Sequence, residues 1–219
     1  MQNTELKKRG RPARPELRQQ REEQILAAAT RLFAEHGFAA ANTQVLAEQL
    51  GVGKGTIFRY FPTKESLFLA AVDRGMRKLK TSVDRAVEGI DDPMEMMSRG
   101  MQAYFAFFND RPDLVELLIQ ERAQFKDRPK PTYFIHREAN TERWRDLFRG
   151  LIAQGRVRQI PVERITEVLG DLLYGTMFAN YFTRRQRSPE EQAADILDIT
   201  LNGILAPGEN RTAEETWQS

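Results

Sequence analysis

Asn42-Thr43-Gln44-Val45-Leu46-Ala47-Glu48-Gln49-Leu50-Gly51-Val52-Gly53-Lys54-Gly55-Thr56-Ile57-Phe58-Arg59-Tyr60-Phe61 holds two short helical patterns on either side of a glycine. Asn42 predicts an N-cap, because its side-chain oxygen can accept the free backbone N–H groups of a first turn. The spacing predicts a helix over about 43–50, which Gly51 stops. A second helix is predicted over Lys54 to Phe61, where Ile57 and Phe61 share one side, and Pro62 ends it. Ala47 is small enough to let two helices cross closely, while Leu46, Leu50, Val52 and Ile57 fill their shared core. The outward set is then Lys54, Gly55, Thr56, Arg59 and Tyr60. Two helices joined in this way form a helix-turn-helix, whose second helix enters the major groove of duplex DNA. Arg59 is placed to donate two hydrogen bonds to guanine, Thr56 and Tyr60 to reach phosphate or a base edge, and Lys64 to hold a phosphate just beyond.

Working outward, apolar residues recur at three- and four-residue spacing almost everywhere, and no run alternates with period two for long enough to argue a strand. The fold class is therefore all-α, with about nine helices. Ile25, Ala29, Leu32 and Phe33 mark a helix from about Glu22 to Gly37, and Thr63 caps another that runs to about Val87. Asp92-Pro93-Met94-Glu95 and Ser188-Pro189-Glu190-Glu191 each combine an oxygen cap, an early proline and a Glu three residues on. Asp110-Arg111-Pro112-Asp113 is a looser version. Pro129 and Pro131 interrupt the pattern, and one helix then carries Trp144, Leu147, Phe148, Leu151 and Ile152 to near Gly155. Two last helices are predicted over about 161–185 and 189–205.

The 219 residues, 41% hydrophobic and 29% charged, suffice for one helical unit or two small ones, each with a core. The absence of Cys excludes disulfides, thiolate zinc sites and cysteine nucleophiles. Two His, His36 and His136, leave little for metal chemistry, so neither a metal nor a cofactor is expected. Gly51-Val52-Gly53-Lys54-Gly55 lacks the length and the ending of a phosphate-binding loop, and no catalytic constellation accompanies it, which argues against an enzyme. The N-terminus has no apolar leader-like stretch, and the apolar run from Leu169 to Phe182 is interrupted by Asp171. A soluble cytoplasmic protein with no membrane partner is expected. Residues 1–80 carry 15 Lys/Arg against 8 Asp/Glu, whereas the remaining 139 carry 18 against 23. A basic first third and an acidic remainder suggest that only the former meets a polyanion.

Leu46-Ala47, the run Gly51 to Phe61, and Lys64-Glu65-Ser66-Leu67-Phe68 resemble the tetracycline-repressor (TetR) family of bacterial transcriptional regulators. The resemblance covers about residues 22–68. Three positions depart from the family pattern: Gly53 and Phe58 each lack a common hydroxyl, and Asn42 stands where Thr is frequent. The resemblance implies a homodimer bound to a palindromic operator in double-stranded DNA, with two recognition helices about 34 Å apart. It also implies repression that a small-molecule effector relieves, through a C-terminal domain that receives ligand and dimerises. DNA contacts are expected from Asn42, Thr43, Lys54, Gly55, Thr56, Arg59, Tyr60 and Lys64. Lys7-Lys8-Arg9-Gly10-Arg11-Pro12 adds the Arg-Gly-Arg-Pro core of AT-hook peptides, in which Arg9 and Arg11 would enter a narrow minor groove. A solvated basic tail is the plainer reading of that arm.

The expected organisation is a basic disordered arm at 1–21, a helix-turn-helix domain at 22–68, a helical ligand-binding and dimerisation domain at 69–206, and a disordered tail at 207–219. Met101, Phe105, Phe108, Phe125, Trp144, Phe148, Tyr174, Met177, Phe178 and Tyr181 are candidates to line an effector site, which as a group would suit an apolar or aromatic molecule. Individually such residues are more often plain core. Ile165, Leu169, Leu172, Leu173, Ala194, Leu197, Leu201 and Ile204 are expected to pair two subunits as a four-helix bundle. The alternatives are an architectural or constitutive DNA binder with no small-molecule switch, and a helical enzyme or lipid carrier.

Overall fold

The computed structural model describes residues 14–185 and 187–203, all of it helix and connecting turns with no strand among them. There are ten helices among the described residues: α1 (Arg14–Ala40), α2 (Thr43–Gln49), α3 (Lys54–Tyr60), α4 (Lys64–Ala86), α5 (Pro93–Asn109), α6 (Pro112–Gln124), α7 (Thr132–Asn140), α8 (Glu142–Ala153), α9 (Val162–Thr183) and α10 (Pro189–Asn202). The chain divides into two compact units. The first takes residues up to 77 together with 113–135, and the second takes 78–112 and the residues from 136 onward.

Two boundaries differ from expectation, the start of α1 and the junction of α5 with α6. α1 starts at Arg14, eight residues before Glu22, with Glu16 in its first turn, where a carboxylate suits the positive end of the helix. Gly37, with φ 75 and ψ 158, breaks the helical backbone where a stop was expected, and a short helical stretch follows it to Ala40. Asp110 ends α5, its N–H bonding to the carbonyls of Ala106 and Phe108, and α6 begins only at Pro112. The tenth helix, α7, has no counterpart among the nine expected. Its first N–H, on Thr132, donates to the Glu121 carboxylate at 2.9 Å and the Thr132 hydroxyl donates to the same oxygen at 2.7 Å. That cap lies eleven residues upstream, outside the span of a local capping motif.

In the first unit, α1 contributes Ile25, Ala29, Leu32 and Phe33 to the core, all buried, beside Leu46, Ile57, Leu67 and Phe68. Phe33, Phe38, Phe68 and Phe125 pack ring against ring, with centroids between 5.0 and 6.0 Å, the range in which aromatic pairs add to simple burial. Gln120 donates to the Phe33 carbonyl at 3.0 Å. That is a backbone oxygen just before the Gly37 kink, where regular helical partners run out. Arg74 and Glu23 form a two-bond pair at 2.8 and 2.5 Å.

In the second unit, Met97, Phe148 and Leu151 form a buried cluster, with Trp144, Leu147, Ile165, Leu169 and Leu197 packed against it. α5 packs on α9 and α10, and α8 on α9. Ser188 and Glu191 cap α10 reciprocally, each side chain accepting the other's backbone N–H. Gly100 admits the Trp144 ring, since a Cβ there would come 2.6 Å from its tip. By contrast, a Cβ at Gly150, within α8, meets nothing within 4 Å. Replacing a helical Gly with Ala adds about 1 kcal/mol of helix propensity at either site, but overpacking costs about 1–3 kcal/mol only at Gly100. Gly150→Ala should therefore raise the urea midpoint and Gly100→Ala should fall below it by that margin. Equal midpoints would show that the Trp144 contact is loose.

Candidate nucleic-acid interface

The turn between α2 and α3 is built by backbone bonding. The Val52 N–H reaches the Ala47 carbonyl at 3.0 Å and the Gly51 N–H reaches that of Glu48 at 3.1 Å, with Gly51 at φ 62. This is the paired termination that a left-handed glycine permits after a helix. Asn42 caps α2 as expected, accepting the Gln44 N–H at 2.8 Å. Leu46, Ala47 and Ile57 are fully buried, so the two helices share a core and their remaining faces look outward.

On α3, Lys54, Gly55 and Arg59 are exposed, and Thr56 and Tyr60 are half-buried at the margins. The Lys54 ammonium lies 5.8 Å from the centre of the Phe58 ring. α3 has no side-chain cap, because Gly53 supplies no oxygen. Thr43 is buried at the start of α2 while Asn42 is exposed. Lys64 is half-buried: its ammonium donates to the Ala39 carbonyl at 2.9 Å and sits 5.1 Å over the Phe38 ring. Burial holds its pKa below the ordinary lysine value. Lys64 thus ties the start of α4 to the end of α1. Arg9 and Arg11 lie outside the described residues.

One basic residue within the stretch expected as an arm stands beside this surface. Arg18 is in the second turn of α1, with its guanidinium 5.8 Å over the Tyr60 ring. Its spacing from Ile25, seven residues on, is the signal that could have placed it.

The residues proposed for an effector do not all meet. Phe125 lies in the first unit, against Phe38 and Phe68. In the second unit Met101, Phe105, Phe108, Phe148 and Met177 are buried, while Trp144, Tyr174, Phe178 and Tyr181 are partly so. Tyr104 packs edge-on against Phe105 and Phe108, and its hydroxyl donates to the Met177 sulfur at 3.8 Å. Tyr174 and Phe178 make a second edge-on pair at 4.8 Å.

The apolar residues of α9 and α10 split in two. Ile165, Leu169 and Leu197 pack against the cluster of their own subunit. Leu172, Ala194 and Leu201 are exposed, Leu173 is half-buried, and Ile204 lies outside the described residues. Val168, Phe182 and Ile199 add to the exposed set, at 52%, 66% and 54% accessibility. Among the described residues, no helix is long and apolar enough to cross a membrane.

Residues 25–71 match the bacterial regulatory proteins, tetR family. The chain is 34% identical over 93 residues to the transcriptional regulator EthR of Mycolicibacterium smegmatis, covering 42% of this chain and 43% of that protein. It is 26% identical over 192 residues to the transcriptional repressor AcnR of Corynebacterium jeikeium, covering 86% and 94%. The chain spans about 41–45% of the length of the first four curated relatives it matches. Among solved structures it is similar to the transcriptional regulator FadR of Bacillus subtilis in complex with stearoyl-CoA, with a TM-score of 0.69 at 16% identity, covering 84% of this chain and 99% of that one. These relatives are named as transcriptional regulators, not enzymes. The helix-turn-helix thus lies within the residues that match the bacterial regulatory proteins, tetR family, and the helices around it share the fold of solved transcriptional regulators.

Proposed function

We propose that the chain acts as a homodimeric repressor, reading a palindromic operator with its two α3 helices and released by a small apolar or aromatic effector. The observation that carries the DNA reading is the outer side of α3, where Lys54, Gly55 and Arg59 are exposed while Ile57 between them is buried. A short helix with a basic free face on a rigid apolar back is the form that reads base edges in a major groove. The exposed apolar residues of α9 and α10 support the dimer, because such faces are seldom left to water. The aromatic interior of the second unit supports an apolar effector, and the FadR neighbour is in complex with stearoyl-CoA, a molecule that carries a long apolar chain. α4 begins in the first unit and ends in the second, so it is one covalent route by which an effector would alter the reading heads. The coupling required is about 1–3 kcal/mol.

Selection of random duplexes by the purified chain, followed by footprinting, tests this reading. A protected short palindrome is the expected result, and nonspecific competitor that removes all binding equally would establish an architectural binder instead. Within the palindrome, Arg59→Ala should cost about 1–3 kcal/mol at one base pair and leave nonspecific binding nearly unchanged. A screen of apolar compounds for thermal stabilisation and DNA release then tests the switch, and an absence of hits would indicate a constitutive regulator.

A further inference from the structure

Residues 18, 21, 25, 28 and 32 of α1 follow one another at alternating three- and four-residue steps, so they share one side of the helix. Ile25, Ala28 and Leu32 are buried in the first unit. Toward the N-terminus the same row continues as Arg18 and Arg21. The core-facing side of α1 therefore turns from apolar to cationic where the helix outruns the core. At that point Arg18 stands over Tyr60 of α3. Of the neighbouring carboxylates, Glu23 is engaged with Arg74, Glu16 occupies the opposite side of the helix, and Glu22 is half-buried beside the row. A cationic side that continues an apolar one is complementary to a polyanion lying where the core ends.

We infer that the first two turns of α1 form a further DNA-contacting element, with Arg18 as a positioning residue. Its guanidinium holds the Tyr60 ring by a cation–π contact, and together with Arg21 it grips phosphates flanking the base pairs that α3 reads. Arginine suits both tasks, because its planar fork stacks on an aromatic face while its edge still donates to phosphate. Tyr60 would then be fixed before DNA arrives. The inference rests on the DNA reading proposed above and adds a specific coupling between α1 and α3.

The test uses the full chain and a duplex carrying the selected palindrome, with binding measured between 50 and 200 mM salt. Each lost phosphate contact lowers the salt slope by about 0.9, which is roughly 3.5-fold less affinity loss across that salt range. Arg18→Ala should show this decrease, and Arg18→Lys, which keeps the charge, should restore the slope. Replacing the flanking phosphates with neutral methylphosphonates should weaken the natural chain more than it weakens Arg18→Ala, in which only the Arg21 contact remains to be lost. In a double-mutant cycle, Arg18→Ala with Tyr60→Leu should lose several-fold less affinity than the product of the two single losses. Alanine at this exposed helical site favours helix, so circular dichroism should be unchanged. Specific binding by the natural chain with an unaltered slope in Arg18→Ala would overturn the inference alone, and strictly multiplicative losses in the cycle would overturn the Tyr60 contact. Failure of the natural chain to select any sequence would overturn the underlying DNA reading, and the inference with it.

Discussion

Replacing Glu121 with alanine lowers the free energy of unfolding by about 3–5 kcal/mol, the range measured when one partner of a buried ion pair is removed. Glu121 is 1% exposed, and one of its oxygens serves three groups: the Thr132 N–H, the Thr132 hydroxyl and, at 3.2 Å, the Arg128 guanidinium. Alanine would leave the two buried Thr132 donors without an acceptor and the half-buried Arg128 guanidinium without its partner. It would also remove the cap on the first N–H of α7. Glu121→Gln keeps an oxygen that can accept from Thr132 but discards the charge that faces Arg128. Its loss should therefore be smaller than that of alanine, and Arg128→Met in the same background should recover part of it. Urea midpoints at constant m-value measure the series. If alanine and glutamine cost the same, the Thr132 bonds contribute nothing and the cap assigned to α7 is wrong.

Leu172→Glu on α9, combined with Ile199→Glu on α10, should yield a monomer whose affinity for the palindrome is at least 100-fold weaker. Both positions are exposed apolar sites within one subunit, so the charges disturb no internal packing. At a subunit interface, however, they would set four carboxylates against an apolar face. Affinity falls because linking two reading heads converts the second contact into an intramolecular event, and separating them removes that gain. Sedimentation velocity at micromolar concentration would report the subunit state, and unfolding would show that each subunit remains intact. A double variant that is still dimeric would mean that α9 and α10 do not pair the subunits.

How much could be read from the sequence depended on the range of the interaction concerned. The α2–turn–α3 unit was legible because each determinant lies within a few residues of its effect: Asn42 on Gln44, Gly51 on the carbonyls behind it, Ile57 on the core. The starts of α5 and α10 were legible for the same reason, with Asp92 and Ser188 accepting the N–H groups of Glu95 and Glu191. α7 was not, since its cap arrives from Glu121 across Pro129 and Pro131, whose presence argued for a break. Nor could apolar spacing separate Ile165 and Leu169, which face their own core, from Leu172, which faces outward. A stripe wider than one partner needs has the same period whatever covers it. Lys64 shows the limit at the site itself. Its position one turn beyond α3 suits a phosphate contact, while its ammonium is already engaged with the Ala39 carbonyl, a pairing 25 residues distant.

The interleaving of the two units carries a lesson for anyone who wishes to exchange reading heads between such regulators. Since Phe125 completes the ring cluster of Phe33, Phe38 and Phe68, and Gln120 completes the carbonyl of Phe33, the DNA-reading portion is no detachable N-terminal cassette. A chimera spliced only after Arg77 would inherit foreign side chains at both places. A faithful transplant needs three seams, so that 113–135 travels with its own α1.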